Sequence, residues 1–273
     1  MPTALITGAT SGIGAAFAHR LAAKGVHLVL VARDAERLAS TADTLRTCFG
    51  VSVEVLAADL LVPEQCRTVE ERLAARGEHG HPPVDILVNN AGFGLPAPFP
   101  HSPVEDEERL LDLLVRVPLR LTHAAVPGLR ARGRGAVLNV SSVAGLLPTG
   151  TYGAAKAWVT AFSESLRVDL APHGVRVLAV VPGFTRTEFQ QRAGMDVSAL
   201  RDSVWLDPDD VAAGALRDLA KGRPLSVTGW RYKLYAHAVR HLPRTTVAQR
   251  LARKRHAPTG AAAGACESGR PSH

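Results

Sequence analysis

Six times between residues 3 and 220, a short run of β-branched and aliphatic residues is followed by a helical stretch. The runs are TALIT (3–7), VHLVLVA (26–32), VSVEVLA (51–57), VDILVN (84–89), GAVLNVS (135–141) and GVRVLAVV (174–181). Their helical partners cover about 12–24, 34–47, 63–76, 103–131, 151–171 and 208–220. A seventh run, PLSVT (224–228), follows the last helix. The runs are apolar on both faces, which suits strands buried between two layers of helices rather than strands with one wet side. Repeated strand–helix alternation predicts an α/β fold: one doubly wound, mostly parallel, seven-stranded sheet with helices on both faces. In such sheets ligands bind at the carboxyl ends of the strands. The loops after each run are therefore where chemistry is expected.

A chain of 273 residues is long enough for one such domain, with 46% hydrophobic and 21% charged residues, as in ordinary globular proteins. No apolar run approaches the length of a membrane span. The start, MPTALITGAT, enters the first strand with neither a basic stretch nor an apolar signal core, so the cytoplasm is the expected compartment. Cys48, Cys66 and Cys266 are scattered and odd in number, which gives neither a disulfide framework nor a metal spacing. No metal is expected.

The net charge of +7 is unevenly placed. Residues 217–256 carry eleven Lys and Arg against the single acid Asp218, a local charge of +10 that leaves −3 for the rest. A nucleic-acid binder would spread its charge over the folded domain. Here it belongs to a C-terminal appendage, so no nucleic-acid partner is expected. The predicted organisation is a domain over 1–228, a basic and partly apolar extension over 229–256, and a small, polar, disordered tail over 257–273.

After the first strand comes TGATSGIG, with Gly8, Gly12 and Gly14 around Thr10, Ser11 and Ile13. A glycine-rich turn at the start of a helix lets backbone approach a pyrophosphate and offers it free N–H groups. Further along, NNAG (89–92) follows the fourth run, NVSS (139–142) ends the fifth, and Pro182–Gly183 ends the sixth. Tyr152 and Lys156 lie four apart in TYGAAKAW, one above the other on one helix face.

These motifs, in this order and on these elements, resemble the short-chain dehydrogenase/reductase family over residues 3–228. The resemblance implies a single Rossmann-type domain that binds a nicotinamide dinucleotide. It implies cofactor contacts from Gly8, Thr10, Ser11, Gly12, Ile13, Gly14, Asn90, Ala91, Gly92, Tyr152, Lys156, Pro182, Gly183, Thr185 and Thr187. Thr185 and Thr187 serve equally well as caps for the next helix. Asp59, followed by Leu60, resembles the acid that meets the adenine, and equally suits the turn before helix 63–76.

The second strand ends in Ala32, where an NAD-binding relative would carry an acid for the ribose 2′-hydroxyl, and Arg33 follows. Arginine suits a 2′-phosphate, so NADP(H) is the preferred cofactor and NAD(H) the second choice. Asp34 is read as the cap of the next helix.

By resemblance Tyr152 is the general acid/base, Lys156 its electrostatic partner and Ser142 the group that polarises a carbonyl. A nearby ammonium is expected to lower the phenol from its usual value near ~10. Ser141 is the neighbour to distinguish from Ser142, and strand alternation points the two opposite ways. Two departures stand out. The ten-residue step from Ser142 to Tyr152 is about three short of the family's usual gap. Leu114 occupies the place of an asparagine that assists proton transfer.

Phe93, Leu95, Phe99, Val143, Leu146, Leu147, Phe184, Phe189, Met195 and Trp205 are the candidate pocket residues, which points to a hydrophobic carbonyl, alcohol or acyl thioester. The 229–255 stretch suits an anionic membrane surface, a phosphorylated acyl carrier, or a solvated helix without a partner. The resemblance also implies a homo-oligomer. Two rival functions remain: a non-catalytic dinucleotide-binding protein, motivated by Leu114, and an epimerase or dehydratase on the same scaffold.

Overall fold

The computed structural model describes residues 1–75, 77, 81–198 and 200–241. Its elements are β1 (Thr3–Thr7), α1 (Gly12–Ala22), β2 (His27–Ala32), α2 (Ala35–Phe49), β3 (Val53–Ala57), α3 (Pro63–Ala74) and β4 (Ile86–Asn89). There follow α4 (Val104–Leu111), α5 (Val117–Arg132), β5 (Gly135–Val140), α6 (Gly150–Leu170), β6 (Val175–Val180), α7 (Phe189–Arg192), α8 (Pro208–Ala220), β7 (Leu225–Ser226) and α9 (Trp230–His241). The seven strands form one sheet in the order β3-β2-β1-β4-β5-β6-β7. Every pairing is parallel, so the sheet is wholly rather than mostly parallel. Residues 242–256 of the basic extension and the 257–273 tail lie outside the described residues.

The two-faced apolar runs are used as strands covered on both sides. Ala4, Ile6, Leu28, Leu30, Val88 and Leu138 face a core built with Phe17 of α1, Leu38 of α2 and Val211 of α8. Leu5, Val29, Val31, Leu87, Val137 and Val177 face the other core, with Val69 of α3, Leu121 of α5 and Leu170 of α6. Period-two alternation thus feeds two cores from each strand. The strand order reverses between β1 and β4, which opens the crevice at their carboxyl ends.

One expected helix is two. The 103–131 stretch breaks at a π-helical turn, Asp112–Arg116, between α4 and α5. Pro118 stands in the first turn of α5 and has no N–H for the Leu114 carbonyl four residues back, so the α-helical ladder cannot run through unbroken. The last strand keeps only Leu225 and Ser226 of the expected 224–228. Among the described residues, no helix is long and apolar enough to cross a membrane.

Candidate active site

The glycine loop joins β1 to α1 at the crevice. Gly8 and Gly12 have φ of 66° and 53°, a left-handed backbone that side chains disfavour. A Cβ on Gly14 would collide with the Gly8 carbonyl oxygen and the Asn90 amide. The Asn90 amide donates to the Thr7 carbonyl at 2.9 Å and the Gly8 carbonyl at 3.2 Å. The N–H groups of Asn90 and Ala91 both donate to the Thr7 hydroxyl at 3.0 Å. The loop is therefore clamped from β4. Ser11, at the N-cap of α1, makes no side-chain cap, so the first N–H groups of the helix stay available to an anion. This cradle fits a dinucleotide pyrophosphate. Ile13 packs against the core behind it.

At the end of β2, Arg33 is exposed. Asp34 caps α2 by accepting from the Arg37 N–H at 3.0 Å, as its position in the sequence suggests. Asp59 accepts from the Leu61 N–H at 3.0 Å and so shapes the turn after β3, while Leu60 is buried in the core. Cys66 is a buried free thiol, pushed up to about 11 by burial first and by Glu70 second.

β5 carries two serines of opposite orientation at its end. Ser141 is buried, and its hydroxyl donates to the Lys156 carbonyl at 2.6 Å and lies 2.7 Å from the Thr160 hydroxyl. Ser142 turns the other way, accepts from the Ala144 N–H at 3.1 Å and faces the Tyr152 phenol, whose proton it makes easier to lose. The short loop from Ser142 to Tyr152 is taken up by a turn of 3-10 helix, Val143–Leu146, before α6 begins. Gly145 and Gly153 let this loop lie against α6, since a Cβ on Gly145 would press into the α6 backbone and one on Gly153 into the Thr149 hydroxyl.

Lys156 is 5% exposed, and its ammonium donates to the Val140 carbonyl at 2.7 Å. It lies 5.8 Å from the centre of the Tyr152 ring. The charge pattern differs from the sequence expectation. Burial pushes the Tyr152 phenol up to about 12, and the facing Ser142 hydroxyl offsets only part of that. Burial also pulls the Lys156 ammonium down to about 8. Spacing brought the two groups together, but loss of water dominates both.

Apolar side chains surround the phenol. Leu110, Leu114 and Ala155 form a small core with Phe93, Leu95, Val115 and Tyr152 packed on it. Leu114 is 1% exposed. It also lies against Gly92, where an added Cβ would stand 2.9 Å from its Cδ2 and 3.9 Å from Lys156 Nζ. From the other side, the Phe189 ring comes within 5.7 Å of the Tyr152 ring.

The segment after β6 lies over the crevice. Pro182 accepts from the Val143 N–H at 3.0 Å. Thr185 is buried, and its hydroxyl donates back to the Gly183 carbonyl at 3.0 Å. The Thr187 hydroxyl accepts from the Phe189 N–H at 3.2 Å in the turn before α7, while its methyl sits against Gly12. Sequence reasoning missed Tyr232. It comes from α9, inside the extension predicted to be an appendage, and its hydroxyl accepts from the Phe184 N–H at 3.0 Å and donates to the Val204 carbonyl at 2.7 Å. An isolated tyrosine in a basic stretch gives no signal of that role. Among the described residues, no group of three or more His, Cys, Asp and Glu side chains is placed to hold a metal ion.

Residues 2–197 match the family model described as short chain dehydrogenase. The chain is 40% identical over 217 residues to a sulfoacetaldehyde reductase of Chromohalobacter salexigens, spanning 76% of this chain and 83% of that one. It superimposes on a short-chain dehydrogenase from Sphingobium yanoikuyae in complex with NADPH with a TM-score of 0.81, at 36% identity, covering 96% of this chain and 99% of that one. A bulky-bulky ketone specific alcohol dehydrogenase from Comamonas testosteroni gives a TM-score of 0.74 at 31% identity, covering 96% and 97% of the two chains. With its glycine cradle, parallel sheet and Tyr–Lys helix, the chain belongs to the short-chain dehydrogenase family of NAD(P)-dependent oxidoreductases.

Proposed function

We propose that this protein reduces a bulky hydrophobic ketone or aldehyde with NADPH. The observation that carries the reading is the Ser142 hydroxyl facing the Tyr152 phenol, one helical turn from Lys156 and beside the clamped glycine loop. NADPH supplies the hydride when bound. The chain's own groups handle the oxygen. The Ser142 hydroxyl holds the carbonyl oxygen and polarises it, and the Tyr152 hydroxyl gives that oxygen its proton. A phenol raised to about 12 keeps its proton at neutral pH, which is the form reduction uses. Lys156, still largely charged at neutral pH, stabilises the phenolate left behind. Leu114 closes the side of the site next to Lys156 to water, so Tyr152 regains its proton through the substrate cleft.

The walls of Phe93, Leu95 and Phe189 support a hydrophobic substrate better than a small sulfonate. Ala32 and the exposed Arg33 support NADP(H) over NAD(H). Gly8, Thr10, Ser11, Gly12, Ile13, Gly14, Asn90, Ala91 and Gly92 would hold the cofactor, with Pro182, Gly183 and Thr187 closing over it. The proposed catalytic domain includes α9, because Tyr232 is built into its crevice.

The test is NADPH oxidation by wild type and Tyr152→Phe over hydrophobic ketones, aldehydes and 3-oxoacyl thioesters, with NADH run alongside. Turnover by wild type that is lost in the variant supports the reading. NADPH binding without turnover across the panel would replace it with the non-catalytic reading.

A further inference from the structure

Glu188 lies in the segment over the crevice, and its carboxylate reaches the β2–α2 junction. There it meets Arg37 of α2, at 2.8 Å from Nη2 to one oxygen and 3.3 Å from Nη1 to the other. The same Nη2 lies 3.4 Å from the Thr10 carbonyl, so Arg37 also touches the glycine loop. On its far side Glu188 pairs with Arg192 of α7. An ion pair thus spans the cofactor crevice. It runs from the place where an adenosine 2′-phosphate would lie to the residue between Thr187, which covers Gly12, and Phe189, which covers Tyr152.

The strength of this pair decides what it can do. Its side chains are 45% and 41% exposed, and pairs that open to water contribute only about 0–1 kcal/mol. A phosphate dianion on a guanidinium fork is a stronger, charge-assisted partner. Among the described residues no carboxylate pairs with Arg33, whereas Arg37 is already engaged. Arg33 can accept a 2′-phosphate outright, and Arg37 can do so only by leaving Glu188.

We propose that Arg37 is a second binding group for the cofactor 2′-phosphate and that Glu188 competes for it, so that the 2′-phosphate releases the 187–192 segment from α2. The proposal rests on the NADP(H) reading above. NAD(H), which has no such phosphate, leaves the pair closed. Discrimination between the two cofactors would then come partly from Glu188, on the opposite wall from Arg33.

Calorimetry with adenosine 2′,5′-bisphosphate and with 5′-AMP tests this without turnover, on wild type, Arg33→Ala, Arg37→Ala, Glu188→Gln and the Arg37→Ala/Glu188→Gln double variant. Arg37→Ala should weaken the bisphosphate by roughly tenfold or more and leave 5′-AMP unchanged. Glu188→Gln should tighten the bisphosphate a few-fold while Arg37 is present, and not in its absence. Backbone amides of 187–193 should exchange faster with deuterium when the bisphosphate binds, and not with 5′-AMP. Equal bisphosphate binding by wild type and Arg37→Ala overturns the proposal. So does a Glu188→Gln effect that persists without Arg37, or unchanged amide exchange. If Arg33→Ala alone abolishes the preference, the NADP(H) reading stands and the Arg37 proposal falls. If wild type binds both probes equally, both fall.

Discussion

The ring of Tyr232 lies against Gly183 so closely that no side chain fits between them, and its hydroxyl joins the Phe184 N–H to the Val204 carbonyl. A helix beyond the last strand therefore holds the turn that ends β6. It also holds the start of the segment that covers the candidate active site.

The pair should behave as a unit under mutation. Gly183→Ala pushes a methyl into the Tyr232 ring and should destabilise the protein by about 1–3 kcal/mol. In a Tyr232→Ala background the same substitution meets empty space, and its cost should shrink markedly. Urea midpoints of the four proteins measure this. Additive effects would mean that the two residues do not share a contact.

Tyr232→Phe removes two hydrogen bonds and keeps the ring. It should cost about 1–2 kcal/mol, which for a chain of this size lowers Tm by about 2–8 °C. KM for the ketone should rise more than kcat falls, because the segment is loosened while Tyr152 is untouched.

The Tyr152 phenol, pushed up to about 12, sets opposite pH profiles for the two directions. Reduction uses the protonated form and should be flat through neutral pH. Alcohol oxidation uses the phenolate and should rise about tenfold per pH unit on the way to that value. Tyr152→Phe should lower the reduction rate by about 10²–10⁴. Single-turnover absorbance of the bound cofactor reads both directions.

Lys156 makes the stability of the fold rise into mildly alkaline pH. Its ammonium is depressed from 10.5 to about 8, so the native state gives up a proton that the unfolded chain keeps. Between those values stability should therefore rise with pH, and below about 8 the cost of the buried charge is fully present. Relative to Lys156→Met, wild type should gain up to about 3 kcal/mol over that window. Denaturant unfolding of both proteins at a series of pH values checks the sign.

Leu114→Asn places an amide in the sealed cluster beside Lys156 and should cost about 1–3 kcal/mol. It also offers Tyr152 a proton route from within. The solvent deuterium effect on kcat should shrink relative to wild type. An unchanged effect would mean that Leu114 does not govern reprotonation.

The order of strands and helices was readable because each strand run is short, two-faced and bounded by Gly or Pro. The glycine loop was readable because its residues are consecutive. What escaped depends on partners far along the chain. Arg37 and Glu188 are 151 positions apart, and Tyr232 is 48 from Phe184, so neither meeting leaves a local pattern. The π-turn follows from Pro118, yet a proline in the first turn of a helix is unremarkable until the preceding residues are also helical. The direction of the Tyr152 shift was misread for a related reason. Spacing on a helix reports proximity, whereas the removal of water depends on Leu110, Leu114 and Phe93 packing around the phenol.

Asn89 and Asn139 are neighbours in the β4–β5 ladder, and their side chains meet at 2.8 Å. Asn89 continues to Thr122 at 3.1 Å, and Asn139 to Ser163 at 2.9 Å. All four residues are buried. Val88, Leu87, Leu138 and Val137 are nearly interchangeable greasy residues, so hydrophobicity alone would tolerate β5 sliding along β4. The two amides would not. A slip of even one position turns Asn139 to the opposite face of the sheet and strands both amides in a dry interior. This polar seam acts as a proofreading mark for strand alignment, and it sits directly behind the strand ends from which Ser142 and the Asn90 clamp on the glycine loop emerge.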